Sequence, residues 1–249
     1  HALGVATVED AERLVQASQL SHIKVGLSDV DGVMLGKYIR RDKFLGALRS
    51  GLAFCDVVFG WDLDDQLYDN TKYTGWHTAY PDAKLRIIPQ SGRRLTLEQG
   101  PGGEDMLLFL AEFEGDAGAI CPRRLLHRTL DRAADMGYDA YAALEYEFFM
   151  FRETPHSVRA KHYRDMENWT PGNFGYSVLR STVQGDFYRK LLDMCERMDM
   201  PIEGLHTETG PGVLEAAIAV DQAAAAGDKA FLFKTFTKAL AQQNGLMAT

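Results

Sequence analysis

Long apolar runs are missing from these 249 residues: nothing approaches the roughly eighteen consecutive apolar positions that a membrane-spanning helix needs. Cysteine is scarce. Cys55, Cys121 and Cys195 are scattered, odd in number and free of Cys-x-x-Cys spacing. That argues against a disulfide framework and a thiolate zinc site, and it suits a reducing cytoplasm, the expected location. The N-terminus HALGVATVEDAERL lacks a basic region followed by an apolar core, so no signal peptide is expected; the leading His1 carries no weight in the reading. Positive charge is in deficit, with a net charge of −8 and a pI near 5.4. An acidic surface repels phosphate backbones, so nucleic acid is not an expected partner. The arginine pairs at 40–41, 93–94 and 123–124 form no stripe and read as solvated surface.

What is present is ordinary globular material. Hydrophobic residues make up 46% and charged residues 25%, enough for one large domain or two smaller ones. Thr7 is a plausible N-cap for a helix with Val8, Ala11, Leu14 and Val15 on its apolar stripe. HIKVGLSDV and VMLGKYI read as strands joined at Asp31-Gly32, and RDKFLGALRS reads as a helix stopped by Gly51. The stretch from Cys55 to about Arg94 reads as irregular, closing on PDAKLRIIP, and MLLFLAEF (106–113) as a buried strand. At GDAGAICPRR the pattern changes, and Pro122 opens a helix that Gly137 caps. A long strand (Tyr138–Phe151), a polar loop, a helix (Gly185–Met198), a hairpin and a last helix (Asp221–Gln243) complete the expected order. The pattern predicts domains at 1–116 and 117–249.

Two segments carry chemistry. In YAALEYEFFMF, strand alternation puts Glu145 and Glu147 on one face among Leu144, Phe148, Phe149 and Met150. Carboxylates on so apolar a strand need neutralising, by arginine, lysine or a hard divalent cation; a solvated strand face is the competing reading. In GLHTETGPGVLEAAI, Gly210-Pro211-Gly212 reverses the chain and sets Glu208 and Glu215 on opposite arms, with Glu203 and His206 just upstream. His206 alone reads as a hydrogen-bonded structural histidine.

Together these segments resemble the glutamine synthetase family: a strand whose two glutamates flank one residue, then a His-x-Glu, Pro-Gly, Glu hairpin. Other stretches agree in order. SDVDGVMLGKYI resembles the family's N-terminal hairpin, and AYPDAKLRIIP the strand closing its N-terminal domain. CPRRLLHRTLDRAADMGYDAYAALEYEFFMF resembles its helix and first catalytic strand, and KAFLFKTFTKALAQQNGLMAT the helix leading toward its ATP-site lysine segment. The resemblance implies an α+β chain: a small N-terminal β-grasp-like domain, then the first part of a glutamine-synthetase-type catalytic barrel. It implies an ATP-dependent ligase that joins glutamate to ammonia or another amine through a γ-glutamyl phosphate. Its cofactors would be ATP and Mg²⁺ or Mn²⁺, and its assembly a homo-oligomeric ring with active sites between subunits. Glu147, Glu208 and Glu215 would hold the metal nearer glutamate and the amine, and Glu145 the metal on the ATP phosphates. Glu203 would contact ATP, Tyr176 would line the amine pocket, and Asp62 would bind the amine from a neighbouring subunit. Glu208 would share with that aspartate the work of accepting the amine's proton.

The chain departs from the family in three places. Asp-Gly-Ser-Ser is replaced by GWDLDDQL, which makes Asp62, Asp64 and Asp65 all candidates. Val213 and Leu214 stand where ammonia-using members are more polar. Both changes point to an amine larger than ammonia. The sequence also stops at NGLMAT, where the family continues into its lysine segment and phosphate-binding arginines, so a fragment is expected, inactive alone. In a fragment the apolar faces of Phe148, Met150, Phe231, Phe233 and Phe236 would lack part of their cover, and the chain would need an oligomer or aggregate. The competing functions are a non-catalytic structural or ligand-sensing relative and a phosphagen-kinase-like transferase.

Overall fold

A computed structural model describes residues 3–249, so His1 lies outside the described residues. The chain divides into two compact units, one up to Ala140 and one from Tyr141.

The first unit is built on the apolar strand β6 (Asp105–Phe113), in which eight of nine residues are buried. Met106–Ala111 is an unbroken apolar run, which marks a strand covered on both faces. It is central to a sheet ordered β2-β1-β6-β4-β3, with β5 also on β6. These strands are β1 (His22–Ser28), β2 (Met34–Arg40), β3 (Leu52–Cys55), β4 (Asp82–Ile87) and β5 (Arg93–Gln99). β1 runs parallel to β6 and β4 antiparallel. The β1–β2 hairpin forms, but around a longer loop than Asp31-Gly32: the Asp29 carboxylate accepts from the Asp31 and Val33 N–H groups. Helices α1 (Val8–Ala17) and α2 (Arg41–Ser50) lie in the same unit, and Phe44 of α2 meets Phe109 at 4.9 Å. The expected irregular stretch 55–94 contains a 3-10 turn at Asp56–Phe59 and then β4; neither β3 nor β5 is visible in the pattern, because each borrows its order from its partner in the sheet.

After β6 come α3 (Gly115–Ile120) and α4 (Pro122–Asp135), Pro122 in its first turn. The arginine pairs are not all surface. Arg93 is buried, and Arg123 Nη1 lies 2.5 Å from the buried Glu112 carboxylate, which Arg86 and Arg124 also engage. Burial alone would raise the Glu112 pKa; the Arg86 hydrogen bond and the Arg123 charge outweigh it and hold it below its ordinary value. This clamp ties the start of α4 to β6, and α4 groups with the first unit although the sequence pattern changes ahead of it.

The second unit is a four-stranded sheet ordered β12-β8-β10-β9. The long strand expected over Tyr138–Phe151 is instead two: β7 (Tyr141–Ala142), paired with β11 (Asp221–Gln222), and β8 (Glu145–Phe151). The chain changes partner at Ala143–Leu144, where the Leu144 carbonyl accepts from Ile218 N–H. β9 (Ile202–Thr207) and β10 (Val213–Ile218) form the hairpin, and β12 (Met247–Ala248) lines β8. Short helices α5 (Pro155–Ala160) and α6 (Val178–Val183) precede α7 (Gly185–Arg197), and α8 (Ala223–Gln243) follows β11. α8 thus begins after Asp221, whose backbone is spent on β7. It seals the inner face of β8: Phe233 lies 5.3 Å from Tyr146 and 6.1 Å from Phe148. Phe148, Met150, Phe233 and Phe236 are consequently buried rather than short of cover, and Phe231 is half-buried.

Gly212 sits at φ 80°, and an added Cβ would lie 2.7 Å from the Met150 carbonyl oxygen, which has no room to yield. Gly212→Ala is expected to cost roughly 2–3 kcal/mol, from left-handed strain plus that collision, read as a lower midpoint in thermal denaturation. Glu153 is buried and accepts from Ser157 Oγ, Lys161 Nζ and Glu167 N–H at 2.5, 2.5 and 2.9 Å. The Lys161 hydrogen bond first, then Ser157, pulls its pKa down to about 2 from an ordinary 4.5. A depressed carboxylate contributes stability that is present above its unfolded pKa and is lost as pH falls through the folded one. Urea denaturation should therefore show wild type losing stability between about pH 4.5 and about pH 2, with Glu153→Gln flatter across that window.

Candidate active site

The register across β8, β10 and β9 sets side chains in rows. Glu147 faces Glu215, and Glu215 faces His206, so the three share one cross-strand row. Alternation puts that row on the face opposite Phe148 and Leu214, the side α8 covers. Glu208 lies two residues beyond His206, on the same face, its N–H bonded to Val213 O at 3.1 Å. The hairpin's reversal at Gly210–Gly212 is what lets the two arms meet.

His206, Glu208 and Glu215 offer ligand atoms within 4.8 Å of one another. His206 Nδ1 is 3.8 Å from Glu208 Oε2, and His206 Nε2 is 3.9 Å from Glu215 Oε2. Glu147 shares their row but stands outside this tight group, so the convergence includes the histidine that reads as structural from sequence. Its signal was the His-x-Glu spacing, which puts both side chains on one strand face. Glu145 lies one step along β8, opposite Ala217, which in turn faces Gly204; its neighbours on that face are small. Glu203 falls at the irregularity where pairing passes from Ala217↔Gly204 to Ile218↔Ile202, and it is exposed.

Glu208 Oε1 accepts from Thr209 Oγ1 at 2.7 Å, while its buried Oε2 makes no hydrogen bond of normal geometry; its polar neighbours are His206 Nδ1, 3.8 Å away, and the Tyr176 side chain, both of which favour the charged form. The Thr209 hydrogen bonds foremost keep the Glu208 carboxyl below its ordinary range, so it is a carboxylate near neutrality. A buried carboxylate oxygen without a donor is costly unless a cation meets it. Tyr176 lays its ring over His206 at 4.5 Å, from a left-handed backbone with φ 57°.

In the first unit, Asp62 folds its own loop. Its Oδ1 accepts from the Asp64 and Gln66 N–H groups at 2.9 Å each, Asp65 adopts φ 57°, and Trp61 bridges to Leu67. Of the three candidate aspartates, Asp62 has one carboxylate oxygen occupied in this way.

The family profile described as glutamine synthetase, catalytic domain, matches residues 119–249. The chain belongs to the glutamine synthetase family. It is 38% identical over 238 residues to type-1 glutamine synthetase 2 of Dictyostelium discoideum, covering 94% of this chain and 44% of that one. It is 30% identical over 239 residues to a glutamate–isopropylamine ligase of a Pseudomonas species, covering 94% and 51%. The Plasmodium falciparum glutamine synthetase structure superposes with a TM-score of 0.73 at 14% identity, over 98% of this chain and 50% of that one. The fold is therefore α+β, a β-grasp-like domain followed by the first part of a glutamine-synthetase-type barrel. The chain spans about half the length of the relatives it matches. The family match opens at residue 119 while the compact units divide after Ala140, and the difference is α4, whose start is tied to β6 by Glu112. Among the described residues no helix is long and apolar enough to cross a membrane.

Proposed function

We propose that the full-length protein is an ATP-dependent ligase forming an amide between the γ-carboxylate of glutamate and an amine larger than ammonia. The observation that carries this is the meeting of His206, Glu208 and Glu215, in register with Glu147, around a buried carboxylate oxygen that makes no hydrogen bond of normal geometry. Carboxylate oxygens suit Mg²⁺, and an imidazole among them favours Mn²⁺. Glu147, Glu208 and Glu215, with His206, would hold that ion, and Glu145 one on the ATP phosphates. When bound, such ions neutralise charge on phosphate and carboxylate during phosphoryl transfer.

An amine cannot displace oxide from a carboxylate at a useful rate, so the γ-carboxylate is first phosphorylated to the acyl phosphate. The incoming ammonium must then lose a proton, and we assign Glu208 to attract the cation and accept that proton, a reading supported by its charged form and its contact with Tyr176. Glu203 is assigned to ATP and Tyr176 to the amine pocket. The Asp62–Asp65 loop would serve a neighbouring subunit of a homo-oligomeric ring. The absent Asp-Gly-Ser-Ser, Val213 on the carboxylate face and the isopropylamine ligase among the relatives support the larger amine, whereas Leu214 is buried in the inner row and does not bear on it. The working compartment is assigned as the cytoplasm. Phosphate release by the full-length protein, with ATP, glutamate and a panel of amines, tests the reading. Release stimulated most by an alkylamine is expected; none with any amine would reject it in favour of a non-catalytic relative.

A further inference from the structure

Thr207 stands between His206 and Glu208 but belongs to the other face of the sheet. It pairs with Leu214, which pairs with Phe148, and its side chain is buried in that inner row. Its hydroxyl is fully used. Thr207 Oγ1 accepts from Ser177 N–H at 2.9 Å and donates to Phe174 O at 2.7 Å. Its carbonyl accepts from Tyr176 N–H at 2.7 Å. That carbonyl also lies 3.2 Å from His206 Nδ1, while Nε2 of the same ring faces Glu215.

β9 is an edge strand, so its outer side offers unpaired backbone groups, and the segment Phe174–Ser177 docks there. The segment closes on itself through Arg180, whose guanidinium sits 4.7 Å from the Phe174 ring centre, and through Ser177, which caps α6. It is pinned to the inner side of β9 by the Thr207 hydroxyl, and it lays Tyr176 on His206 on the outer side. The left-handed backbone of Tyr176, unfavourable for an aromatic residue, persists because bonds on both sides of it over-determine it.

We propose that Thr207 is a positioning residue for this site: by gripping the Phe174–Ser177 arch around the edge of β9, its hydroxyl sets the Tyr176 ring on His206 and so orients the imidazole toward Glu215. It touches no reacting atom itself. The metal part of this inference rests on the proposed function; the placement of the two rings does not.

The test uses the full-length protein with isotope-labelled histidine, His206 being assigned by its loss in His206→Gln. In metal-free protein the Tyr176 ring shields the His206 ring protons, and Tyr176→Leu calibrates that shift. Thr207→Val, equal in shape but without the hydroxyl, is expected to move the His206 signals most of the way to the Tyr176→Leu position. Thr207→Ser is expected to keep them at the wild-type position. Mn²⁺ titration should show Thr207→Val weakened about 10–100-fold, the range for lost support of a metal ligand, and Thr207→Ser restored. Should Thr207→Val fail to fold, Thr207→Ala removes the same hydroxyl while leaving the Phe174–Ser177 backbone and the Ser177 cap of α6 untouched, and it should move the same signals. Unchanged His206 signals in a folded Thr207→Val or Thr207→Ala protein would overturn the proposal. Wild type that binds no Mn²⁺ would overturn the metal reading instead, while the His206 signals still decide the role of Thr207.

Discussion

Glu208→Gln in the full-length protein should lower both Mn²⁺ affinity and amide synthesis by roughly 10²–10³-fold, the equivalent of several kcal/mol of lost charge stabilisation. The substitution preserves shape, and the side-chain oxygen can still accept from Thr209 Oγ1. What disappears is the negative charge at the buried Oε2, which makes no hydrogen bond of normal geometry. An amide in that position also cannot take a proton from the amine. Two measurements separate these losses. Calorimetric Mn²⁺ titration reads the ligand role, and glutamate-dependent phosphate release against amide formation reads the proton-accepting role. Glu215→Gln should match it in the first measurement and fall less in the second, since Glu215 lies a strand away from Tyr176. Amide synthesis within about threefold of wild type would remove Glu208 from the mechanism, because an interaction that small is less than one kcal/mol.

Phe233→Ala should destabilise the second unit by about 3–5 kcal/mol, the range for deleting a buried phenyl ring. The ring is 1% exposed and meets both Tyr146 and Phe148. Little can collapse into the space, because those two side chains are held by a strand paired on both sides by β10 and β12. At about 2–4 °C per kcal/mol for a chain of this size, the melting midpoint should fall by roughly 6–20 °C. The change also reaches the site. Tyr146 and Phe148 alternate with Glu145 and Glu147 on β8, so loosening the inner face shifts the carboxylates on the outer one. Mn²⁺ affinity should therefore fall in the still-folded variant at low temperature. A midpoint lowered by less than the equivalent of about one kcal/mol would mean that α8 does not seal this face.

The carboxylates themselves were legible. Glu145 and Glu147 reveal their shared face by alternation along a strand, and Gly210-Pro211-Gly212 announces the reversal that brings Glu208 toward Glu215. His206 was legible only as half of a His-x-Glu pair. A single imidazole has many uses, and nothing local says that Glu147 and Glu215 will lie across from it. The arginine pairs misled for a related reason. Arg123 reads as surface because its partner, Glu112, sits on a different element and is hidden within an apolar run. The strand expected over Tyr138–Phe151 misled because its apolar pattern is continuous while its pairing is not: the ends bond to β11 and β10, which turn apart at Ala143–Leu144.

Local chemistry set the helix ends at Thr7, Pro122 and Gly51, the apolar core of β6, and the two carboxylate-bearing segments with their order along the chain. Those features depend on residues near in sequence, whose spacing alone determines caps, turns and faces. The fold decided the register that lines up Glu147, Glu215 and His206, the burial of Glu208 Oε2, the clamp on Glu112 and the grip of Thr207 on the arch that carries Tyr176. Each of these depends on which distant backbone lies alongside. Shifting a strand by one residue would leave every local preference satisfied and turn the carboxylates into the core.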